Sequence, residues 1–288
     1  MVLIQFPPKS TEWLKVLAED GYSNLTFIPN LSLDAKKLGF SLRTNQNGYR
    51  GECFSGQKYT CLGTSFGAAV GVSDEEAWFN SLRKGVCNLS FPCSNQQHLN
   101  RVKEISGKRD TLIYIYHPNV LITSLSFFNH RLVGGSYFDY MGWKVHLPPY
   151  DYFKFFVKLL AKVLSRRVTF RFFKYQLFML DRKYCKSSYP ISFVNQEAGI
   201  LNEVFSLYRK VYVVRVPIRE EIGLPIESCY FDNKWREFCA LSSTPDYIDF
   251  KSFFELSDYH SLDNHWNVSG NSKFADLLDR FVLSNQAD

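Results

Sequence analysis

Lys58-Tyr59-Thr60-Cys61-Leu62-Gly63-Thr64-Ser65-Phe66-Gly67 decides how this chain is read. Lys58–Leu62 is a short apolar run of strand length, and two glycines bracket the serine that follows it. Glycines at Gly63 and Gly67 permit a tight turn between a strand and a helix. Downstream, Ser73-Asp74-Glu75-Glu76 has capping-box spacing, Ser73 being the cap and Glu76 the third residue beyond it. A helix is therefore expected after Ser73, with Ala77, Trp78, Phe79 and Leu82 on its inner side. The predicted unit is a strand, a turn carrying a serine, and a capped helix.

The same alternation continues along the chain. Val86–Phe91, Thr111–Tyr116 and Lys210–Val216 read as strands, and Asn95–Ile105 and Gln196–Tyr208 as helices. Apolar strands separated by helices of this length pair in parallel, with helices on both faces. The expected fold is α/β: a three-layer α/β/α arrangement around a flavodoxin-like parallel sheet. Such sheets bind ligands beyond the carboxyl ends of their strands, and Ser65, Cys93 and Asn119 each fall just past one. Residues 1–57 read as an irregular lead-in packed on the domain, with a short helix at Thr11–Ala18 and a turn-rich stretch at Asn45–Gly51. Residues 58–288 form the domain itself. It is interrupted at about 120–195 by a helical insertion rich in Phe and Tyr, with helical spacing over Asp151–Leu164.

The chain has 288 residues, 45% of them hydrophobic and 17% aromatic, enough for a packed core in one domain with an insertion. Met1–Pro8 lacks a basic region followed by a full apolar stretch, so no secretory signal is read there. No run of about 18 apolar residues suggests a membrane span. Seven cysteines, at 53, 61, 87, 93, 185, 229 and 239, include no CxxC pair, which favours free thiols in a reducing cytoplasm. No metal or cofactor is expected. The formal net charge is +6, and the base-rich part runs from Lys154 to Lys186, where Asp181 is the single acid. Three readings of that stretch stand side by side. It is a helical pair with solvated charges, a docking surface for an anionic or lipid-linked glycan or a membrane surface, or a nucleic-acid site. The last is not expected, since no recognition motif accompanies it.

Serine is a weak nucleophile unless a base takes its proton, and the base works best when a carboxylate orients it. Asp263-Asn264-His265-Trp266-Asn267 offers both groups ahead of a short C-terminal helix. An imidazole, with an ordinary pKa of about 6.5, suits proton transfer near neutral pH. Asp258 and His260 form a competing pair a few residues earlier.

Four segments in order resemble the conserved blocks of the SGNH hydrolases, the GDSL-type esterase and acetyltransferase superfamily. Asn47-Gly48-Tyr49-Arg50-Gly51 and the Ser65 turn, followed by Gly71–Trp78, resemble the opening block of carbohydrate-active members. Asn88–Ser94 resembles the second block, and His117-Pro118-Asn119 falls where the third places its asparagine. Asp263–Asn267 with Gly270 is similar to the last block in its Asp-x-His-Trp-Asn form. The resemblance implies Ser65 as nucleophile, His265 as base and Asp263 as the acid that orients it. It also implies an oxyanion hole made by the Asn119 side chain, the Ser65 N–H and an N–H near Cys93. The sequence departs from the family at Thr64, where an aspartate is usual, and at Cys93, where a glycine is usual. The α/β-hydrolase fold shares the Gly-x-Ser-x-Gly string, but it needs several strands before the serine, and only the lead-in precedes Ser65.

The expected function is serine-dependent acyl transfer, in which an acetyl or other acyl group is removed from, or moved onto, a carbohydrate hydroxyl through an acyl-enzyme on Ser65. Hydrolase and transferase use the same residues. The expected partner is an acylated carbohydrate or another small ester. Two other classes remain: a catalytically inactive saccharide-binding relative, suggested by Thr64 and Cys93, and a membrane-peripheral component of glycan biosynthesis, suggested by the basic stretch.

Overall fold

The computed structural model describes residues 29–35, 40–53, 57–91, 93–104, 109–118, 120, 137–140, 143–146, 191–223, 225–260 and 265–284. By its contacts the chain divides into two compact units, Met1–Val120 with Asn195–Asp288, and Leu121–Val194.

The first unit is built on a five-stranded parallel sheet. Its strands are β3 (Tyr59–Gly63), β4 (Val86–Asn88), β5 (Arg109–Tyr116), β8 (Tyr208–Arg215) and β9 (Asp246–Asp249), in the spatial order β4-β3-β5-β8-β9. Counting sheet strands alone, this is the order 2-1-3-4-5 of the flavodoxin-like fold, whose chain reverses direction across the sheet between its first and third strands. The strands are buried on both faces, which is why they read as apolar runs: every residue of β3 is buried, and so is β5 from Thr111 to Tyr116.

Helices α1 (Asn95–Glu104), α2 (Ile191–Ser206), α3 (Arg219–Gly223) and α4 (Pro225–Cys239) lie between sheet strands, and α5 (Val268–Leu278) follows the last. Right-handed crossovers put α1, α2 and α4 on one face and the β3–β4 connection on the other. The contacts agree. Tyr114 of β5 stacks on Phe238 of α4 at 5.8 Å and meets Phe205 of α2 edge-on at 5.9 Å. Its hydroxyl donates to Asn95 Oδ1 of α1 at 2.5 Å, and Asn95 Nδ2 donates to the buried Glu197 of α2 at 2.7 Å. The β3–β4 connection meets α5 through Trp78, whose ring lies edge-on to Phe274 at 5.3 Å.

Several expectations are corrected. No α-helix follows the serine turn; two short 3₁₀ turns, Asp74–Glu76 and Trp78–Asn80, stand there instead. The Ser73 N–H does donate to Glu76 Oε2 at 3.1 Å, but the Ser73 hydroxyl accepts from the Ser41 N–H at 3.1 Å, and Ala77 is extended with φ −72° and ψ 136°, so the helix cannot propagate. Within the lead-in, β1 (Ser32–Ala35) and β2 (Phe40–Arg43) form an antiparallel hairpin. The expected helix at Thr11–Ala18 lies outside the described residues. The free-thiol reading also fails, because Cys53 and Cys87 form a disulfide with Cα atoms 4.4 Å apart, although Cys61, Cys93 and Cys239 are free.

In the second unit the described residues include an antiparallel hairpin of β6 (Tyr137–Tyr140) and β7 (Trp143–His146), where a helical insertion was expected. The helical segment Asp151–Leu164 and the basic stretch to Lys186 lie outside the described residues. Among the described residues no helix is long and apolar enough to cross a membrane.

Candidate active site

Ser65 sits just past the carboxyl end of β3, and His117 just past the end of its neighbour β5. These two ends flank the place where the strand order reverses, which is where open α/β sheets form their ligand crevice. Thr64 Oγ1 and His117 Nε2 share a buried hydrogen bond that ties the two ends together. Burial, with a further contribution from the charge of His265, pushes His117 down to about 3, so its imidazole is neutral near pH 7. The threonine that replaces the family's aspartate thus has a structural partner.

The glycines that bracket Ser65 are required for close approach. A Cβ on Gly63 would lie 3.0 Å from Ile115 Cβ, and one on Gly67 would lie 2.3 Å from Ser90 Oγ. The Gly67 carbonyl accepts two buried donors, Trp78 Nε1 at 3.0 Å and Asn88 Nδ2 at 3.0 Å. Beyond it the backbone turns twice through the left-handed region, at Ala69 (φ 50°) and Gly71 (φ 101°). Ser65 itself is half-buried.

His265 approaches this turn from the far end of the sequence. Its ring centroid lies 5.5 Å from that of Phe66, and its Cβ is 3.8 Å from where a Cβ on Gly71 would stand. The residues around it have structural tasks. Trp266 is buried, stacked on Phe254 at 5.1 Å and packed edge-on to Phe66 at 4.9 Å. Asn267 caps α5, its Oδ1 accepting from the Gly270 N–H at 3.1 Å. Gly270 is required by packing, since a Cβ there would lie 2.3 Å from the Asp258 carbonyl oxygen. His265 is left half-buried beside Phe66.

The competing acid is committed elsewhere. Asp258 accepts from Lys273 Nζ at 2.6 Å, the Glu255 N–H at 2.8 Å and Ser269 Oγ at 3.2 Å, and so fixes the approach to α5. The ring of His260 lies over Gly71, its Nε2 3.1 Å from the position of a Cβ there. Asp263 and Asn119 lie outside the described residues. Cys93 is buried with Leu42, Ala68 and Phe91, and burial pushes its thiol up to about 12, so it stays protonated.

Sequence reasoning missed four residues that build this site: Arg50, Trp78 and Asn88, which hold the serine turn, and His117. Each stood within a motif that had been noticed, but a buried hydrogen bond to a carbonyl leaves no periodicity to read.

No protein-family model matches the chain, and no curated protein matches it. Among solved structures the chain is similar to a catalytic mutant of an acetylxylan esterase from Geobacillus stearothermophilus, with 11% identity, a TM-score of 0.42, and 80% of this chain and 95% of that chain covered. It is similar also to an alpha/beta hydrolase enzyme from the metagenome of Lake Arreo, Spain, with 10% identity, a TM-score of 0.41, and 79% of this chain and 95% of that chain covered. Likeness at these values carries no activity across to this chain.

Proposed function

We propose that this chain is a serine-dependent acyl-transfer enzyme that acts on an ester of a carbohydrate hydroxyl, acetyl being the expected acyl group. The observation that carries the reading is the meeting of Ser65 and His265 around Phe66 at the sheet's switch point. Ser65 Oγ attacks the acyl carbon while His265 takes its proton. The tetrahedral intermediate collapses, the carbon–oxygen bond to the sugar breaks, and His265 returns the proton to the departing alkoxide. Water or a second sugar hydroxyl then attacks the acyl-enzyme, giving hydrolysis or transfer. Asp263 orients His265, while Asn119, the Ser65 N–H and an N–H near Cys93 receive the oxyanion. The neutral His117 keeps a second positive charge away from the imidazolium that forms.

Hydrolysis of p-nitrophenyl acetate tests the assignment. Ser65→Ala should abolish turnover, whereas Asp263→Asn should leave residual activity, because the serine forms the bond and the acid only orients the base. Unchanged turnover in Ser65→Ala removes Ser65 as the nucleophile.

A further inference from the structure

We infer that Arg50, far from Ser65 in sequence, is a positioning residue for the nucleophile: its buried guanidinium fixes the backbone that carries Ser65. The inference rests on the acyl-transfer reading of that serine. Arg50 is fully buried. Its Nη1 donates to the Ala68 carbonyl at 3.0 Å and to the Ala69 carbonyl, its Nη2 donates to the Val72 carbonyl at 2.5 Å, and its Nε donates to Asp74 Oδ1 at 2.7 Å. Three consecutive turns of irregular backbone thus close on one planar group.

The reason lies in the path of the chain. A helix following Ser65 would use its own amides to satisfy these carbonyls. Here the left-handed residues Ala69 and Gly71 turn the carbonyls of Ala68, Ala69 and Val72 inward instead, and buried carbonyls require donors. A guanidinium supplies several donors in one rigid plane, which a lysine ammonium cannot do. The amides of the segment face the other way, back onto the serine turn: Ala68 N–H donates to the Thr64 carbonyl, Ala69 N–H to that of Phe66, and Val70 N–H to that of Ser65, each at 3.0 Å. Arg50 therefore holds one side of a segment whose other side hydrogen-bonds Ser65 and both of its neighbours.

Arg50 is itself placed by a built turn. Asn45 Oδ1 accepts from the Asn47 and Tyr49 N–H groups at 2.9 and 3.0 Å, and Asn45 Nδ2 donates to the Gly51 carbonyl at 3.0 Å. Gly51 has φ 90°, and a Cβ there would lie 2.9 Å from the Phe79 ring. The Asn-Gly-Tyr-Arg-Gly string of the opening block is thus a device for presenting one guanidinium to the serine turn.

Hydrogen exchange of the full chain tests this without relying on activity, using Arg50→Lys and the milder Asp74→Asn, which leaves Arg50 in place but removes its carboxylate partner. The amides of Ala68, Ala69 and Val70 should exchange at least about tenfold faster in both variants, while those of β5 change by less than about twofold. On the same samples, kcat for p-nitrophenyl acetate per folded molecule should fall about tenfold or more with KM unchanged, since misplacement acts on the reacting geometry. Should Arg50→Lys not fold, Asp74→Asn decides alone. A folded variant in which Ala68–Val70 exchange as in the parent overturns the inference. Faster exchange with kcat unchanged also overturns it, leaving Arg50 a purely structural residue. If the parent protein shows no reactivity at Ser65, the acyl-transfer reading fails, and with it the catalytic part of this inference, while exchange still decides whether Arg50 holds the turn.

Discussion

The ring of Phe66 lies 5.5 Å from the imidazole of His265, so the residue next to Ser65 packs directly against a residue from the last segment of the chain. The same ring lies 5.1 Å from that of His117 at the end of β5. One aromatic side chain therefore gathers the ends of two central strands and the C-terminal loop. Side chains that meet at a sheet's switch point are positioned by the most rigid part of the fold, which favours chemistry needing sub-ångström placement.

Gly67→Ala should be strongly destabilising. Its new Cβ would stand 2.3 Å from Ser90 Oγ and 2.6 Å from Ser90 Cβ, an overlap that only backbone movement relieves. A cost of about 3 kcal/mol or more is expected. Gly199→Ala is the control: it lies within α2 with nothing within 4 Å of the added methyl, and should stabilise by roughly 0.5–1 kcal/mol. Chemical denaturation of both variants checks the pair.

Asn119→Ala should lower kcat by about 10²–10³ with little change in KM, because an oxyanion donor contributes mainly in the transition state. If Asn119 instead only closes the turn after β5, the variant loses thermal stability and keeps kcat per folded molecule. Measuring both on one preparation distinguishes the two roles.

Stability should fall as the solution is acidified below about pH 6.5, and two histidines are the cause. Burial pushes His117 down to about 3 and His98 down to about 4, from an ordinary 6.5. Arg101 also lowers His98, against which the carbonyls of Phe91 and Gly63 raise it. Each ring binds a proton more readily in the unfolded chain. Their contribution is fully present above 6.5 and is lost as pH falls toward the folded values. Each such group adds a slope of about 1.4 kcal/mol per pH unit in that window. Denaturation midpoints at pH 7, 6 and 5 should show the decline, and His98→Gln should flatten it by about that amount.

The sheet was legible in the sequence because parallel strands are buried on both faces. Tyr59–Gly63 and Arg109–Tyr116 differ from the expected strands by two residues or fewer at either end. The edge strand β9 was missed because Asp-Tyr-Ile-Asp has two apolar residues between acids and no run to detect. The capping box at Ser73 was read correctly as a local hydrogen bond, but tertiary demands decided what followed it: Trp78 must reach Gly67 and Phe274, and an extended Ala77 lets it. Arg50 illustrates a different limit. Arginines are almost never fully buried unless paired, and nothing local marks this one as a donor to three carbonyls. The pairing of Cys53 with Cys87 was equally hidden, since spacing alone does not fix which cysteines meet.

The most direct measurement is to treat the protein with a serine-reactive fluorophosphonate and locate the adduct by peptide mass spectrometry, comparing the parent with Ser65→Ala and His265→Ala. The expected result is a single adduct on Ser65, absent in Ser65→Ala and formed about 10³-fold more slowly or less in His265→Ala, because the serine is activated only through its base. An unlabelled parent protein, or an adduct that forms at the parent rate when Ser65 or His265 is replaced, would contradict the assignment of Ser65 and His265 as a nucleophile and its base.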